Sequence, residues 1–419
     1  MSSDPPPRRI LLVDCDAFFV QVARLEDPEG AGKARLLVVG GASGRGVVTS
    51  ASYEARAYGV RSAMPGAVAR RLCPDATFVP VPRGACVARS RQVKEALDEL
   101  APVVQAASID EFYLDLSGTE RLFRDETLER TAWRIREAVL ERTQIQVSIG
   151  GGTRRIIAKL ATGRAKPAGV HIVPPGGELD FLRTLDLADL PGVGPSLAQA
   201  LARKGLVTVE QGLGVQEEWL QRWYGQRRGA WLYRRMRGMD NSDVDPHEGR
   251  KSISSERTFG SDLSDDEDLE RRLLELSGSV ASTLRRKGFR ARTVTVKLRD
   301  PDFRTRQHSR TVPEAIESDH AIHAVALELL RDLRAERRVP ARLLGVGLTG
   351  LLDDDAPQQL GLFEGEEVAG ETARDRAVSH AMDRLRDRFG DEAILPGTLF
   401  DGPPPGRRRR NDPHGTDDS

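Results

Sequence analysis

Two adjacent carboxylates, Asp110 and Glu111, lie inside a segment that otherwise favours a β-strand, Ser108 to Asp115. Adjacent residues of a strand point to opposite faces, so both acids can serve one site only at a bend or at the end of the strand. Burying two anions together is costly unless a cation accompanies them. The pair therefore favours a fold in which this strand ends beside a source of positive charge.

A third acid lies far upstream, where the apolar run Ile10-Leu-Leu-Val ends in Asp14. A short, continuously apolar run of this kind is typical of a strand that is buried on both faces. Three carboxylates that converge from two strand ends can hold two divalent metal ions about 3.5–4 Å apart, the arrangement that drives in-line phosphoryl transfer. An acid pair at a strand end is also common in solvated turns, so this pattern alone leaves a structural role open.

Composition limits the class of protein. A chain of 419 residues is long enough for two to four domains, and its 63 Lys and Arg residues balance 63 Asp and Glu residues. This balance argues against a uniformly basic protein but not against local basic surfaces. Cys15, Cys73 and Cys86 have neither the spacing of a metal site nor that of a disulfide framework. With no signal peptide and no apolar run of membrane-spanning length, we expect a cytoplasmic protein without a membrane partner.

Six stretches, in this order along the chain, resemble the Y-family translesion DNA polymerases, and most closely their bacterial DNA polymerase IV branch. They are Val13 to Phe19, Gly46 to Arg56, Tyr58 to Pro65, Ser108 to Asp115, Lys159 to Pro167, and Leu190 to Gly194. The ordered set is far more specific than any one stretch. The resemblance implies a template-directed, error-prone DNA polymerase that extends a primer with dNTPs and bypasses damaged template bases in DNA repair.

The resemblance also implies a role for individual residues of the active site. Asp14, Asp110 and Glu111 fall on the family's catalytic carboxylates, which bind two Mg²⁺ ions per active site. The backbone carbonyl of Cys15 falls on an added metal ligand. Phe19 falls on the steric gate, the ring that excludes a ribose 2′-hydroxyl.

Three further residues, Tyr53, Arg56 and Lys166, fall on the residues that hold the incoming triphosphate. The sequence itself supports two of them, because Ser52 to Tyr58 is predicted to be helical and a spacing of three places Tyr53 and Arg56 on one face. An Arg guanidinium forks onto phosphate oxygens with two hydrogen bonds. An ordinary solvated helix face is the alternative interpretation.

The predicted elements and the resemblance together indicate an α+β multidomain fold, the right-hand polymerase. Its expected parts are a palm with a split βαβ arrangement at 1–20 and 78–174, small fingers at 21–77, a helical thumb with a helix-hairpin-helix at 175–240, a linker at 241–249, a βαββαβ little finger at 250–350, and a tail at 351–419 with a disordered C-terminus. In the thumb, Trp219, Trp223 and Trp231 are predicted to pack in the core.

Two regions are predicted to grip a DNA backbone without reading its sequence. In the thumb, two glycines leave backbone N–H groups free at a helix N-terminus, which attracts phosphate. In the little finger, cationic residues alternate along the second and third strands, which predicts one cationic sheet face opposite an apolar face; a merely solvated face is the alternative. The predicted DNA contacts are Gly192, Gly194, Lys297, Arg299, Arg304, Arg306 and Arg310, with His308 on the same predicted face.

The peptide Gln359-Leu-Gly-Leu-Phe363 resembles the bacterial sliding-clamp binding peptide, in which a Gln and apolar anchors fill a groove. Gln359, Leu360, Leu362 and Phe363 are the expected anchors, although five-residue matches also arise by chance. The expected partners are therefore primer-template DNA, dNTPs and a sliding clamp, and the chain is expected to be a monomer.

Two alternative functions remain at this stage. One is a catalytically inactive DNA-binding and clamp-binding scaffold of a translesion complex, which the loss of one of the three acids would favour. All three acids are present. The other is a palm-type nucleotidyl cyclase, which the predicted helix-hairpin-helix and basic sheet argue against.

Overall fold

The computed structural model describes residues 7–42, 44–123, 126–247, 249–353, 371–390, 393–394 and 397. The chain divides into two compact units, 1–248 and 249–419. No helix among the described residues is long and apolar enough to cross a bilayer. The predicted clamp peptide, Gln359 to Phe363, lies outside the described residues.

The first unit contains two β-sheets. Its described strands, β1 to β8, are Ile10–Cys15, Leu37–Gly40, Val48–Ala51, Thr77–Val79, Val103–Ala106, Glu111–Asp115, Val147–Gly152 and Val170–Ile172. The larger sheet has the order β5-β6-β1-β7-β8, and the smaller one has the order β3-β2-β4. Strand β1 lies at the centre of the larger sheet, antiparallel to both β6 and β7, and all six of its residues are buried, as its apolar run predicts.

Helices cover both sheets of this unit. The described helices α1 to α11 are Phe18–Glu26, Tyr53–Ala57, Gly66–Leu72, Arg83–Asp98, Leu128–Thr143, Arg155–Ala165, Glu178–Arg183, Pro195–Ala202, Val209–Leu213, Glu217–Tyr224 and Gln226–Met236. Short 3₁₀ helices occur at Glu120–Phe123 and Leu187–Asp189. Helices α4 and α5 contribute to the core of the larger sheet, while the smaller sheet has a core of its own around Val38 and Val48.

Helix α6 packs unusually close to strand β7, and one glycine makes this possible. A Cβ atom on Gly150 would lie 2.1 Å from the backbone nitrogen of Thr162 and 2.3 Å from the carbonyl oxygen of Ala158. No side chain fits in that space, because real Cβ atoms do not approach backbone atoms so closely. The close approach brings α6, which carries Lys159, against the sheet beside Glu111.

The later helices of this unit form a separate apolar core, and one prediction about it is wrong. Trp223 and Trp231 pack partly buried against this core, as predicted. Trp219 instead remains 46% exposed, with the Arg222 guanidinium 4.8 Å from its ring centroid. Helical spacing predicted that all three tryptophan side chains point into the core. Trp219 lies in the first turn of α10, where its ring projects beyond the core.

The first part of the segment predicted as a linker, 241–249, is fixed to the first unit. Val244 is buried and packs against Ile10 and Leu12 of β1. The backbone N–H of Asp245 donates a hydrogen bond to the side chain of Gln105 (3.2 Å), and Arg155 donates to the carbonyl of Asp243 (2.7 Å). The boundary between the two units falls after these contacts, at 248/249.

The second unit is an antiparallel sheet backed by helices. Its described strands, β9 to β12, are Ser252–Leu263, Phe289–Arg299, Thr305–Ile316 and Ala341–Asp353, in the order β11-β10-β12-β9. Its described helices, α12 to α14, are Asp266–Arg286, Asp319–Glu336 and Ala373–Phe389. The chain order through β12 is βαββαβ, as predicted, and apolar residues of α12 and α13 form a core with the sheet.

The register of this sheet contradicts the prediction of one shared cationic face. Residues directly opposite each other in an antiparallel pair have side chains on the same face. The paired residues are Val294 with Arg310, Val296 with His308, and Leu298 with Arg306. The cations of β11 therefore lie on the apolar, helix-covered face, and not beside Lys297 and Arg299.

Acidic residues explain how these cations are accommodated on the helix side. Arg306 forms an ion pair with the buried Asp300 (3.0 Å), and His308 lies 2.9 Å from a carboxylate oxygen of Glu336 in α13. Arg310 pairs with Glu328 of the same helix. Arg304 lies in the turn before β11 and is exposed. Arg306 and Arg310 are thus structural ion-pair partners within this unit.

Candidate active site

Strand pairing brings two of the three predicted acids side by side. Asp14 in β1 and Glu111 in β6 are direct partners in the register. Side chains of direct partners lie on the same face with Cβ atoms about 4.5–5.5 Å apart. Residues 97 positions apart in sequence are therefore neighbours, as the sequence analysis required.

Asp110 joins them through a bend that ends the strand. The Cys15 N–H donates a hydrogen bond to the carbonyl of Asp110 (2.9 Å), which fixes the bend against the end of β1. The Ser108 hydroxyl holds the bend from the other side, because it accepts from the N–H groups of Asp110 (3.2 Å) and Glu111 (3.0 Å). Asp110 precedes β6 and is not part of its alternation, which is how two adjacent acids can serve one site.

Two lysines from the α6 region each pair with one of the three acids. Lys159 Nζ lies 2.7 and 2.9 Å from the two carboxylate oxygens of Glu111. Lys166 Nζ lies 2.6 Å from Asp14 Oδ2. Lys166 is a predicted triphosphate contact, whereas Lys159 has no predicted role, although it lies in one of the family-like stretches. The cation that the acid pair requires is thus supplied by the protein itself.

Even with Lys166 beside it, Asp14 is an unusual carboxylate. Burial raises the pKa of Asp14 from 3.8 to about 6, and the neighbouring charges of Glu111 and Asp110 add to this rise. Lys166 acts in the opposite direction but does not cancel it. Clustered, partly buried acids that repel one another are the arrangement that an added cation relieves.

The chemistry of this cluster fits a hard divalent cation, since its donors are carboxylate and backbone carbonyl oxygens. As the side chains stand, no three His, Cys, Asp or Glu side chains of the described residues are grouped as metal ligands. Asp14 and Glu111 point their oxygens at lysines instead. Metal binding would require these carboxylates to exchange their lysine partners for the ion.

Two phenylalanines at the start of α1 have different environments. Phe18 is 1% exposed and packs in the core under the sheet. Phe19 is only partly buried, and its ring meets that of Phe18 edge-on at a centroid distance of 5.5 Å. Phe19 therefore presents ring surface just after β1 ends, which the role of a sugar gate requires.

Tyr53 and Arg56 form one unit on helix α2. The Arg56 guanidinium lies 4.7 Å from the Tyr53 ring centroid, and its Nε donates to the carbonyl of Ala51 (2.9 Å). The Tyr53 hydroxyl donates to Asp16 Oδ1 (2.9 Å). The helix of the smaller sheet is thereby tied to the end of β1, two residues beyond Asp14.

The predicted DNA contacts differ in accessibility. In the first unit, Gly192 and Gly194 are exposed, and Gly192 has a φ of +96° with its Cα packed over Trp231, so a Cβ would lie 2.6 Å from that ring. Gly194 directly precedes α8, whose first residue is a proline. In the second unit, Lys297 and Arg299 lie on the sheet face that the helices leave open.

Taken together, a central antiparallel strand, an acid cluster at its end and a helix-borne tyrosine and arginine define a palm-type nucleotidyl-transfer site. Comparisons with known proteins narrow this class. Residues 13–163 match the impB/mucB/samB family, residues 250–362 match its C-terminal domain, and residues 188–240 match the thumb domain of DNA polymerase-iota.

Curated relatives agree along most of the chain. A DNA polymerase IV of Staphylococcus aureus strain JH9 is 37% identical over 357 residues, which cover 85% of this chain and 99% of the relative. The protein of the same name from strain Newman is 38% identical over 344 residues, covering 82% and 95%.

Solved structures give the same result for the fold. A Y-family DNA polymerase chimera of Dbh and Dpo4 superposes with a TM-score of 0.74 at 27% identity, over 82% of this chain and 99% of the other. DinB from Sulfolobus solfataricus gives 0.57 at 27% identity, over 81% and 98%. The chain therefore belongs to the Y family of translesion DNA polymerases. It is a DNA-directed DNA polymerase with the right-hand fold that the sequence predicted.

Proposed function

We propose that Asp14, Asp110 and Glu111 hold two Mg²⁺ ions, with the Cys15 carbonyl as a further ligand, and that this centre extends a DNA primer with dNTPs. The observation that carries the proposal is the direct pairing of Asp14 with Glu111, closed by the bend at Asp110. Bound Mg²⁺ would lower the pKa of the primer 3′-hydroxyl and neutralise charge on the phosphates.

The protein's own residues orient the nucleotide. Tyr53 and Arg56 contact its phosphates from α2, where the guanidinium can fork onto two oxygens. Lys166, which pairs with Asp14, would exchange that carboxylate for a phosphate. The Phe19 ring occupies the space of a ribose 2′-hydroxyl. These roles are supported by the position of each group around the acid cluster.

DNA is held by polar groups that the fold presents to a phosphate backbone. The exposed glycines before α8 offer backbone N–H groups, and Lys297 and Arg299 offer charge on the open sheet face, where Lys297 also pairs with Glu256 and Arg299 donates to Thr305. Arg304 remains a candidate because it is exposed, whereas Arg306 and Arg310 are not proposed because they pair with acids on the helix-covered face. Binding of this kind is nearly independent of sequence and weakens with salt.

Primer extension tests the function directly. The purified chain, with Mg²⁺ and four dNTPs, should extend a labelled primer on an intact template and across a damaged template base. Binding of primer-template DNA without any extension on the intact template would contradict the proposal and favour the scaffold alternative.

We also propose that Gln359, Leu360, Leu362 and Phe363 bind a bacterial sliding clamp, on the strength of their sequence pattern. Replacing Leu362 and Phe363 by alanine should weaken clamp binding at least about tenfold, since buried apolar anchors dominate such grooves. Surface-immobilised clamp would measure this, with Glu366→Ala and Glu367→Ala as the control pair. Equal clamp affinity of the Leu362/Phe363 variant and the wild type would discard the peptide.

The remaining expectations concern assembly and compartment. Cys15, Cys73 and Cys86 are all free and buried, which suits a reducing compartment. The chain acts as a monomer in the cytoplasm. Light scattering of the purified protein should give a mass near the chain mass of 46.1 kDa.

A further inference from the structure

Asp16 carries no role in the chemistry described above, yet it is one of the most heavily bonded side chains of the first unit. It follows β1 directly, is 4% exposed, and accepts hydrogen bonds from three separate parts of the fold. The donors are the Tyr53 hydroxyl to Oδ1 (2.9 Å), the Ser148 hydroxyl to Oδ1 (2.9 Å) and Oδ2 (2.8 Å), and the Ala168 N–H to Oδ2 (2.8 Å).

These contacts occupy the carboxylate. An ionised carboxylate has about four lone-pair positions, and three donor hydrogens point at those of Asp16, with the Ser148 hydroxyl hydrogen shared between the two oxygens. Little capacity is left for a cation, although Asp16 is only two residues from Asp14. Its environment therefore differs from that of Asp14 and Glu111, whose oxygens face partly exposed lysine side chains.

Two of the three donors lead to groups proposed to hold the triphosphate, and the third anchors the carboxylate to the sheet. The Tyr53 bond fixes the ring on which the Arg56 guanidinium rests. The hydrogen bond from the Ala168 N–H fixes the backbone two residues after Lys166, where Ala168 has a φ of +53°. It thereby positions the backbone from which the Lys166 side chain extends. Ser148, in β7 and the direct register partner of Asp14, anchors the carboxylate to the sheet.

We infer that Asp16 is a positioning residue that holds Tyr53, Arg56 and Lys166 in one arrangement around the incoming nucleotide. One buried carboxylate thereby joins helix α2, strand β7 and the loop after α6. The inference rests on the proposed roles of Tyr53, Arg56 and Lys166 and extends them. It makes dNTP affinity, rather than the maximal rate, the quantity that Asp16 controls.

Asp16→Asn is the matched test, because the amide keeps the size but presents N–H groups where one carboxylate oxygen accepts. Single-nucleotide incorporation should show a dNTP dissociation constant raised at least about tenfold, the effect of losing a hydrogen bond to a charged group, with a maximal rate within about threefold of wild type. The Mg²⁺ concentration for half-maximal rate and the affinity for primer-template DNA should be unchanged.

Asp115→Asn serves as the control. It makes the same chemical change in a partly buried acid at the far end of the β1–β6 pair, opposite Ile10, and should leave both kinetic constants unchanged. If Asp16→Asn lowered the maximal rate or the Mg²⁺ response and left dNTP affinity intact, Asp16 would be part of the metal centre and the inference would be overturned. Wild-type constants for Asp16→Asn would overturn it equally.

Tyr53→Phe is a second variant that removes one of these hydrogen bonds without changing Asp16, and a double-mutant cycle with Asp16→Asn measures the coupling of the two side chains. Tyr53→Phe alone should raise the dNTP dissociation constant, and adding Asp16→Asn should raise it by less than the product of the two single effects. If the two single-variant effects on the dNTP dissociation constant multiplied in the double variant, the two side chains would act independently, which would contradict the inference. Failure of the wild-type chain to incorporate nucleotides would instead refute the proposed function, so the two failures are distinguishable.

Discussion

At the scale of one residue, the ionised Asp14 carboxylate lowers the free energy of unfolding of the protein. Its pKa is raised to about 6, so above that pH the folded protein holds a carboxylate that its surroundings disfavour. Between pH 3.8 and about 6 the folded state binds more protons than the unfolded state, so stability falls as pH rises through this window and then levels off. The full penalty is about 3 kcal/mol.

Asp14→Asn should therefore stabilise the metal-free protein, although it removes a proposed metal ligand. We expect a gain of about 2–3 kcal/mol in the free energy of unfolding at pH 7.5, and about half of that at pH 5, because a neutral amide resembles the protonated acid. Urea unfolding at the two pH values measures it. Asp115→Asn should act in the opposite direction: burial raises the pKa of Asp115, but hydrogen bonds from Ser117 and Arg8 outweigh it and lower the pKa. If Asp14→Asn destabilised the protein at pH 7.5, the surroundings of Asp14 would favour its charged form, against this account of its pKa.

Phe19→Ala should admit ribonucleotides. Removal of the partly exposed ring opens the space that a 2′-hydroxyl needs, so the preference for dNTP over rNTP should fall about tenfold or more. Comparison of incorporation efficiencies with both sugars measures it. Phe18→Ala is the control, since that buried ring should cost about 3–5 kcal/mol of stability without changing sugar preference. Unaltered selectivity in Phe19→Ala would remove the gate from this position.

For single residues, the sequence predicts the chemical role of a side chain more readily than its contacts in the fold. The acids and the phosphate-binding residues stand out by type and by their family-like context. Asp16 and Lys159 do not, because their partners are distant: Ser148 is 132 residues from Asp16, and Glu111 is 48 residues from Lys159. A second acid two positions after Asp14 was the available signal for Asp16.

Among the elements, the sheet of the second unit shows that alternating residues predict the two faces of one strand but not how neighbouring strands align. Alternation within β10 is confirmed, since Val294, Val296 and Leu298 are fully buried. The relation between β10 and β11 depends on register, and a shift of one residue moves a whole strand's side chains to the other face. The sequence contains no marker of that offset, so the cations of β11 were assigned to the wrong face.

The corrected register yields a sharper prediction for DNA binding. Lys297→Ala with Arg299→Ala should weaken binding to primer-template DNA and reduce the slope of log affinity against log salt by about 2, because two phosphate contacts are lost. Arg310→Ala should leave both the DNA affinity and the salt slope within about twofold of their wild-type values, since Arg310 pairs with Glu328 on the helix-covered face. Fluorescence anisotropy over a salt series measures all variants. A large loss with Arg310→Ala and none with the double variant would restore the original assignment.

For the whole molecule, the family-like order of motifs predicted the architecture, since each motif belongs to one part of a known fold. The division into palm, fingers, thumb and little finger within the two units stays a prediction, as do the DNA and clamp contacts. The segment predicted as a linker stays a prediction as well, although Val244 and two backbone contacts hold its first part against β1 and its neighbours. Composition does not reveal contacts of that kind.

The central claim is that three distant acids form one metal-dependent centre whose chemistry is separable from the grip on DNA. Single-turnover incorporation by Asp110→Ala, with DNA affinity measured on the same sample, tests it most directly. We predict that nucleotide incorporation falls by at least about a thousandfold, the scale of losing an electrostatic catalytic group, while DNA affinity stays within about threefold. Incorporation at a rate near that of wild type would contradict the account.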